Sequence, residues 1–159
     1  MLAADDVPEP YASLLVHKND MTPTLERYYG NSLHLDVLAQ KSSGSTYSRK
    51  VCLLCNNSGE IVEFGAIMIF LDLFPENAKR LILEGQIPLG AILRDEQVAH
   101  HSDPTAYFKI ESDLMIQQMF NLEQKTDLYG RCNLISTVDG SPLAKIVEIL
   151  PKSSKNNHL

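Results

Sequence analysis

The stretch LYGRCNLISTVDGSPLAKIVEILP, residues 128–151, decides the fold because it predicts a hairpin at the end of the chain. Two strand-like runs flank Asp139-Gly140, a dipeptide that accepts the positive φ angles of a tight turn. Alternate residues of a strand share a face, so the second run has two distinct rows. One row contains Ala144, Ile146, Glu148 and Leu150, and the other contains Lys145, Val147 and Ile149.

Glu148 is thus a carboxylate in an otherwise apolar row. Burying an unpaired carboxylate costs several kcal/mol, so a buried Glu148 needs a cation, hydrogen bonds or a proton. Both rows are rich in aliphatic residues, and the pattern equally allows the row with Ala144 and Ile146 to face solvent. In that alternative Glu148 is an ordinary exposed acid.

Arg49 stands out in a second predicted strand, residues 46–55. Tyr47, Val51 and Leu53 share its face, so the guanidinium lies among aromatic and aliphatic neighbours. A buried guanidinium is a good clamp for a carboxylate because its planar fork makes two parallel hydrogen bonds. The alternative is a structural arginine paired with an internal acid.

The other segments complete an α+β pattern. Strands are predicted at 33–39, 60–71 and 105–111, and helices at 10–16, 21–29, 74–84, 87–93 and 113–120, of which 87–93 reads as a short helix or a turn. Residues 94–104 are polar and form a candidate mobile flap. Short links make the strand pairs at 33–55, 46–71 and 128–150 antiparallel neighbours. We expect one domain over 1–159, with a single antiparallel sheet of about six strands, helices and flaps covering one face, and a disordered tail at 152–159.

Composition restricts the partners of this 159-residue chain. The net charge is −6, so there is no basic field to attract nucleic acid or an anionic membrane. No apolar run approaches the roughly 20 residues of a membrane span. The first residues carry acids and no basic segment ahead of an apolar stretch, which is unlike a signal peptide. We therefore expect a cytoplasmic protein.

Cysteine and histidine spacing does not favour a redox or metal site. Cys52 and Cys55 match a C-x-x-C pattern, but a strand sends them to opposite faces, and no second ligand pair follows. His100 and His101 lie in a polar loop without neighbouring ligand spacing. The sequence predicts ordinary cysteines and no bound metal.

Five stretches read together resemble the chorismate lyase family, also called chorismate pyruvate-lyases. They are LLVHKNDMT (14–22), YSRKVCLL (47–54), IPLGAIL (87–93), LYGR (128–131) and SPLAKIVEILP (141–151), in the family's order. The resemblance implies a lyase that eliminates pyruvate from chorismate and holds the product, 4-hydroxybenzoate, in an enclosed pocket. It also implies a monomer with no metal or organic cofactor, acting in ubiquinone or other aromatic biosynthesis.

The resemblance also implies roles for particular residues. Arg49 would hold the ring carboxylate, and Glu148 would act at the ring hydroxyl as hydrogen-bond partner and general acid. These two residues form the expected catalytic pair. Backbone groups at Met21 and Leu89 would complete the substrate site, and Arg131 is a candidate for the pyruvyl carboxylate.

The same fold resembles the UTRA ligand-sensing domains of bacterial transcription regulators, which gives the alternative function. Such domains normally follow a DNA-binding domain, and the segment before Leu14 is too short for one, so this alternative is a stand-alone sensor or carrier of a small aromatic acid. Some chorismate lyases carry a second arginine near the position of Gly65, where this chain has Glu63, Ala66 and Met68. That departure supports a third option, a catalytically inactive relative.

Overall fold

The computed structural model describes residues 1–152, so the predicted tail lies outside the described residues from position 153 onward. The helices are α1 (Tyr11–Leu15), α2 (Met21–Tyr29), α3 (Glu76–Glu84), α4 (Leu89–Asp95) and α5 (Leu114–Met119). The strands are β1 (Leu33–Ser43), β2 (Thr46–Cys55), β3 (Ile61–Phe70), β4 (His101–Glu111), β5 (Asp127–Ser136) and β6 (Pro142–Leu150). Short 3-10 turns at Ala4–Asp6 and Leu71–Leu73 complete the regular structure.

All six strands form one antiparallel sheet in the order β1-β2-β3-β6-β5-β4. The predicted α+β class and the single antiparallel sheet are confirmed, as are the three predicted strand pairs. The terminal hairpin attaches through β6, which pairs with β3 over Phe64–Ile69 and Ala144–Ile149. This long-range pairing joins the first three strands to the last three and puts β3 and β6 at the centre of the sheet.

Glycine and aspartate residues set the helix ends much as the sequence predicts. Gly30 and Gly85 end α2 and α3 in the left-handed conformation, with φ of 64° and 71°, where a side chain is unfavourable. Asp113 caps α5 by accepting a hydrogen bond from the Ile116 backbone N–H at 2.9 Å. Asp20 occupies the equivalent position before α2, but its side chain makes no cap hydrogen bond.

The sheet has two different faces. The helical face, as we call it, packs against α1 to α4 and buries residues such as Leu25, Val62 and Ile69. The opposite face, which we call the open face, is covered at one end by α5, where Ile116 packs with Phe64 and other apolar residues. Elsewhere the open face carries exposed side chains, and it is the less protected side of the sheet.

The polar connection predicted as a flap is largely structured. Helix α4 extends through Asp95 and β4 begins at His101, which leaves a link of only a few residues between them. None of the helices in residues 1–152 combines the length and the apolar character that crossing a membrane would require.

Candidate functional site

A cavity of about 50 Å³ lies on the helical face, under the first turns of α2 and α4. Its floor is set by strand register: Arg49 pairs with Ile67, and two residues along β3 Gly65 pairs with Glu148. Gly65 has no side chain, so it leaves an open space between the larger residues around it. The lining residues are Asp20, Met21, Thr22, Leu35, Arg49, Val51, Leu53, Glu63, Gly65, Ile67, Pro88, Leu89, Gly90, Asn133, Ile135, Ile146 and Glu148.

Arg49 is a buried cation in the wall of this cavity. It is 3% exposed, and its Nη1 donates to the backbone carbonyl of Ile82, in the last turn of α3, at 3.0 Å. The guanidinium carbon lies 5.8 Å from the centre of the Tyr47 ring. Its Nε has no hydrogen-bond partner, and no acid among residues 1–152 lies within ion-pair distance of it. The predicted alternative of a structural ion pair is therefore absent from the part of the chain that is described.

The chemical state of Arg49 follows from this burial. Burial lowers the pKa of the Arg49 guanidinium, and the nearby Tyr47 opposes that shift. An arginine nevertheless stays charged in proteins. The α3 carboxyl end offers a partial negative charge, which compensates the cation only in part. Arg49 is thus a desolvated positive charge with an unused donor.

Glu148 and Arg131 face each other across β6 and β5 and form a buried ion pair. Arg131 Nε donates to Glu148 Oε2 at 2.6 Å, and Arg131 is fully withdrawn from solvent. The remaining guanidinium nitrogens donate to the carbonyls of Leu15, His17 and Asn19 at 3.2, 3.0 and 3.0 Å. Arg131 therefore fixes the segment between α1 and α2 against the sheet, and most of its donors are already used.

Glu148 is buried in the cavity wall, so the alternative of an ordinary exposed acid, which the alternation left open, does not apply. Burial raises its pKa, and the charge and hydrogen bond of Arg131 oppose that shift. The structure thus brings Arg49 and Glu148 to the same cavity. Arg131 reaches the site through Glu148 and does not line it.

Glu63 is a site residue that the sequence analysis missed. It lies on β3 opposite Leu53, is 5% exposed and lines the cavity. Its Oε1 has no hydrogen-bond partner. Burial raises the pKa of Glu63 well above its ordinary value, the neighbouring Glu148 raises it further, and Arg131 opposes the shift.

Two more unpartnered acceptors line the same cavity. Asp20 accepts from His100 Nε2 through Oδ2 at 2.6 Å, but its Oδ1 is buried without a partner. Asn133 donates through Nδ2 to Ser102 Oγ at 2.8 Å, and its Oδ1 also lacks a partner. Buried polar atoms are nearly always hydrogen-bonded in folded proteins. The cavity therefore gathers one unused donor, on Arg49, and three unused acceptors.

His100 contacts both Val98 and Asp20 through its ring nitrogens. Its Nδ1 lies 2.6 Å from the Val98 carbonyl, which can only accept, so that nitrogen carries a hydrogen. Its Nε2 lies 2.6 Å from Asp20, and an ionised carboxylate also only accepts. The ring therefore links the segment before β4 to the residue that precedes α2.

The remaining predicted residues lie over the cavity. Met21 and Leu89 are the first residues of α2 and α4, are 4% and 6% exposed, and both contact the cavity. Among residues 1–152 no group of histidine, cysteine and acidic side chains is arranged to hold a metal ion. A shallow depression of about 390 Å³ on the open face is larger, but apart from Arg49 none of its lining residues has a buried unpartnered polar atom.

Comparison with known proteins shows that this chain shares its fold with several solved structures. No family model matches the chain, and no curated protein matches it. Among solved structures, the effector domain of PhnF from Mycobacterium smegmatis is 11% identical with a TM-score of 0.62, and the match covers 86% of this chain and 90% of that domain. A longer PhnF chain gives a TM-score of 0.63 at 11% identity, with 85% of this chain matched, and this chain spans only 64% of its length.

A third structure belongs to the same class. The ligand-binding domain of a putative GntR-family transcriptional regulator from Bordetella bronchiseptica is 12% identical, with a TM-score of 0.56 and coverage of 75% of this chain and 85% of that one. These findings overturn the prediction of an enzyme, because the structures that the chain resembles are regulator domains. They agree with the predicted relation to ligand-sensing domains and do not extend to chorismate lyase. The chain has the fold of regulator effector domains.

Proposed function

We propose that this chain is a small-molecule-binding domain whose cavity takes a compact organic acid, with Arg49 holding the anionic group. The observation that carries the proposal is the state of Arg49, a buried cation with an unused Nε–H and no described acid beside it. A buried charge without a partner costs several kcal/mol. That cost is offset when a ligand anion accepts from the guanidinium.

The surroundings of Arg49 support an organic ligand over a simple ion. Apolar side chains line the cavity between the polar groups, namely Leu35, Val51, Leu53, Ile67, Leu89, Ile135 and Ile146. A pocket with mostly apolar walls and a few placed polar groups is typical of sites for small organic molecules. The likeness to the PhnF effector domain supports the same class of function, a sensing domain.

The volume of the cavity limits what it holds as it stands. About 50 Å³ is well below the roughly 150 Å³ of an engineered cavity that binds benzene. An aromatic acid therefore requires α2 and α4 to move outward from the sheet. The first turns of these two helices line the cavity through Met21, Thr22, Leu89 and Gly90. A larger ligand would therefore displace the two helices further from the sheet.

The test is a binding assay with small carboxylates that differ in size, from acetate and butyrate to benzoate and 4-hydroxybenzoate. A ligand at 100 times its Kd stabilises the folded state by about 2.7 kcal/mol, which corresponds to a rise in Tm of roughly 5–10 °C for a domain of this size. Arg49→Met should weaken the best carboxylate at least tenfold, because charge-assisted hydrogen bonds contribute about 1.5–3 kcal/mol.

The matched control is Arg80→Met, which removes an exposed arginine of α3 and should leave affinity unchanged. Without ligand, Arg49→Met should be at least as stable as the original protein, because it removes an unpaired buried charge. A panel in which no carboxylate raises Tm, together with a destabilised Arg49→Met, would show that Arg49 is structural and would refute the proposal.

A further inference from the structure

Some charged side chains around the cavity have an ionic partner and others do not. The groups without a partner indicate which ligand the cavity can bind. Glu148 is paired with Arg131, and Asp20 is paired with His100. Two ionisable groups in the wall remain without an ionic partner among the described residues, Arg49 and Glu63. One is a cation, and the other is an acid that becomes an anion when it releases its proton, so the two unmatched groups can carry charges of opposite sign.

Arg131 opposes the rise of the Glu63 pKa but makes no ion pair with Glu63. Its Nε donates to Glu148, and its Nη atoms donate to three backbone carbonyls, so four of its hydrogen bonds are already committed. The Oε1 atom of Glu63 is buried and unpartnered, and it belongs to a residue that lines the cavity. Asp20 Oδ1 and Asn133 Oδ1 are also buried without a hydrogen-bond partner. Once Glu63 has released its proton, this part of the wall offers acceptors only, and a ligand must supply the donors.

Arg49 and Glu63 are also well separated. Arg49 pairs with Ile67, and Glu63 lies four residues before Ile67 on β3. At about 3.4 Å per residue the two positions are roughly 14 Å apart along the strand. These are backbone positions, and both side chains line the cavity between them, so a ligand that satisfies both groups carries its acidic and donor groups at opposite ends of a short skeleton.

We infer that the ligand is zwitterionic, an amino-bearing organic acid whose anionic end lies on Arg49 and whose ammonium end lies on Glu63 and the neighbouring acceptors. This inference rests on the proposed function and goes further by naming the ligand class. An ammonium has three N–H donors and a positive charge, which suits a wall of acceptors with one unmatched acid. A hydroxyl in that position would supply one donor and no charge.

Proton release on binding distinguishes a zwitterionic ligand from a simple carboxylate. The charged groups that act on Glu63 are Glu148 on β6 and Arg131 on β5. Arg49 is the charged group of the β2 wall, Asp20 precedes α2, and the first residues of α4 are uncharged. Burial and the neighbouring Glu148 raise the pKa of Glu63, which favours its protonated form in the empty site. Binding of an ammonium favours the carboxylate, and up to one proton leaves.

The experiment compares ligands that share one skeleton: butyrate, butylamine and 4-aminobutyrate, with alanine as an amino acid whose two groups are adjacent. We expect 4-aminobutyrate to bind at least tenfold more tightly than butyrate or butylamine, and more tightly than alanine. Titration calorimetry at pH 6–8 in two buffers of different ionisation enthalpy should detect proton release with 4-aminobutyrate and none with butyrate. The affinity for 4-aminobutyrate should rise with pH over that interval, and that for butyrate should not.

Glu63→Gln is the matched variant, because it keeps the shape and an acceptor oxygen but removes the charge. It should abolish the preference for 4-aminobutyrate over butyrate and leave butyrate binding within about twofold, whereas Arg49→Met should weaken both. Butyrate binding that depends on Arg49, without a gain from the amino group or proton release, overturns this inference and leaves the proposed function intact. If no compound of the series raises Tm and Arg49→Met is less stable than the original protein, both the inference and the proposed function are overturned. The wild-type proton measurement decides the inference even if Glu63→Gln does not fold.

Discussion

Arg131 and Glu148 form the most deeply buried ion pair of the described chain, and each side chain depends on the other. Removing one partner of such a pair leaves an uncompensated buried charge and typically costs about 3–5 kcal/mol. Arg131→Met also deprives the carbonyls of Leu15, His17 and Asn19 of their donors. We therefore predict that this variant loses at least about 3 kcal/mol of unfolding free energy, measured by urea denaturation.

The comparison for that experiment is Arg80→Met, which breaks an exposed pair with Glu84 on α3. Exposed pairs of this kind contribute less than about 1 kcal/mol. If Arg131→Met costs no more than the Arg80 variant, the buried pair does not hold the α1–α2 segment on the sheet.

The sequence identifies some site residues and conceals others for a physical reason. Arg49 and Glu148 stand out because each interrupts an apolar row whose neighbours in the strand are known. Glu63 lies in β3, which is buried over most of its length on both faces, so alternation gives no contrast there. The only local signal is that Glu63 is a charged residue within the most apolar run of the chain, residues 60–71.

At the scale of elements, Gly65 on β3 leaves the space that the cavity occupies. A methyl group added there would lie 3.4 Å from the Val147 carbonyl oxygen and 3.6 Å from Val51 Cγ2, both ordinary contacts. Gly65→Ala should therefore change stability by less than about 1 kcal/mol, since alanine is also less costly than glycine in a strand. Because the methyl takes up part of a cavity of about 50 Å³, we predict that carboxylate affinity falls at least tenfold in a thermal-shift titration.

Gly130 on β5 is the comparison for Gly65, because a methyl group at Gly130 would have no room. A methyl group there would clash with the backbone carbonyl oxygen of Glu148 and would lie 2.5 Å from Cζ of Phe108, so both the backbone and the ring would have to shift. Gly130→Ala should cost about 1–3 kcal/mol through overpacking. A Gly65→Ala protein that binds carboxylates normally would mean that the ligand does not occupy the space over β3.

Local pattern also explains how much of the fold was predictable. Helix ends at Gly30 and Gly85, and strand pairs joined by short links, follow from residues close in sequence. The pairing of β3 with β6 does not, because it joins segments separated by most of the second half of the chain. Aspartate is a preferred residue at the position before a helix, yet the Asp20 side chain contacts a tertiary partner, His100, and does not cap α2. At Asp20 a contact between distant segments therefore overrides the local preference for helix capping.

For the whole molecule, the buried carboxyl of Glu63 couples stability to pH. Its pKa in the folded protein is raised, so the folded state holds a proton that the unfolded state releases above the ordinary value of about 4.3. The stabilisation is complete below that value and is lost as pH rises through the folded pKa. His17 acts in the opposite sense, because burial lowers its pKa and its contribution is lost as pH falls through about 6.5.

Glu63→Gln separates the two contributions, since it removes one titration and leaves the other. We predict that the original protein loses stability relative to Glu63→Gln as pH rises from 5 to 8, by at most about 1.4 kcal/mol per pH unit. Urea midpoints at each pH measure the difference between the two proteins. Because glutamine has no proton to lose, the variant should keep only the pH dependence of the other groups, His17 among them. Parallel curves for the two proteins would mean that Glu63 is ionised throughout, and that a cation compensates it without any ligand.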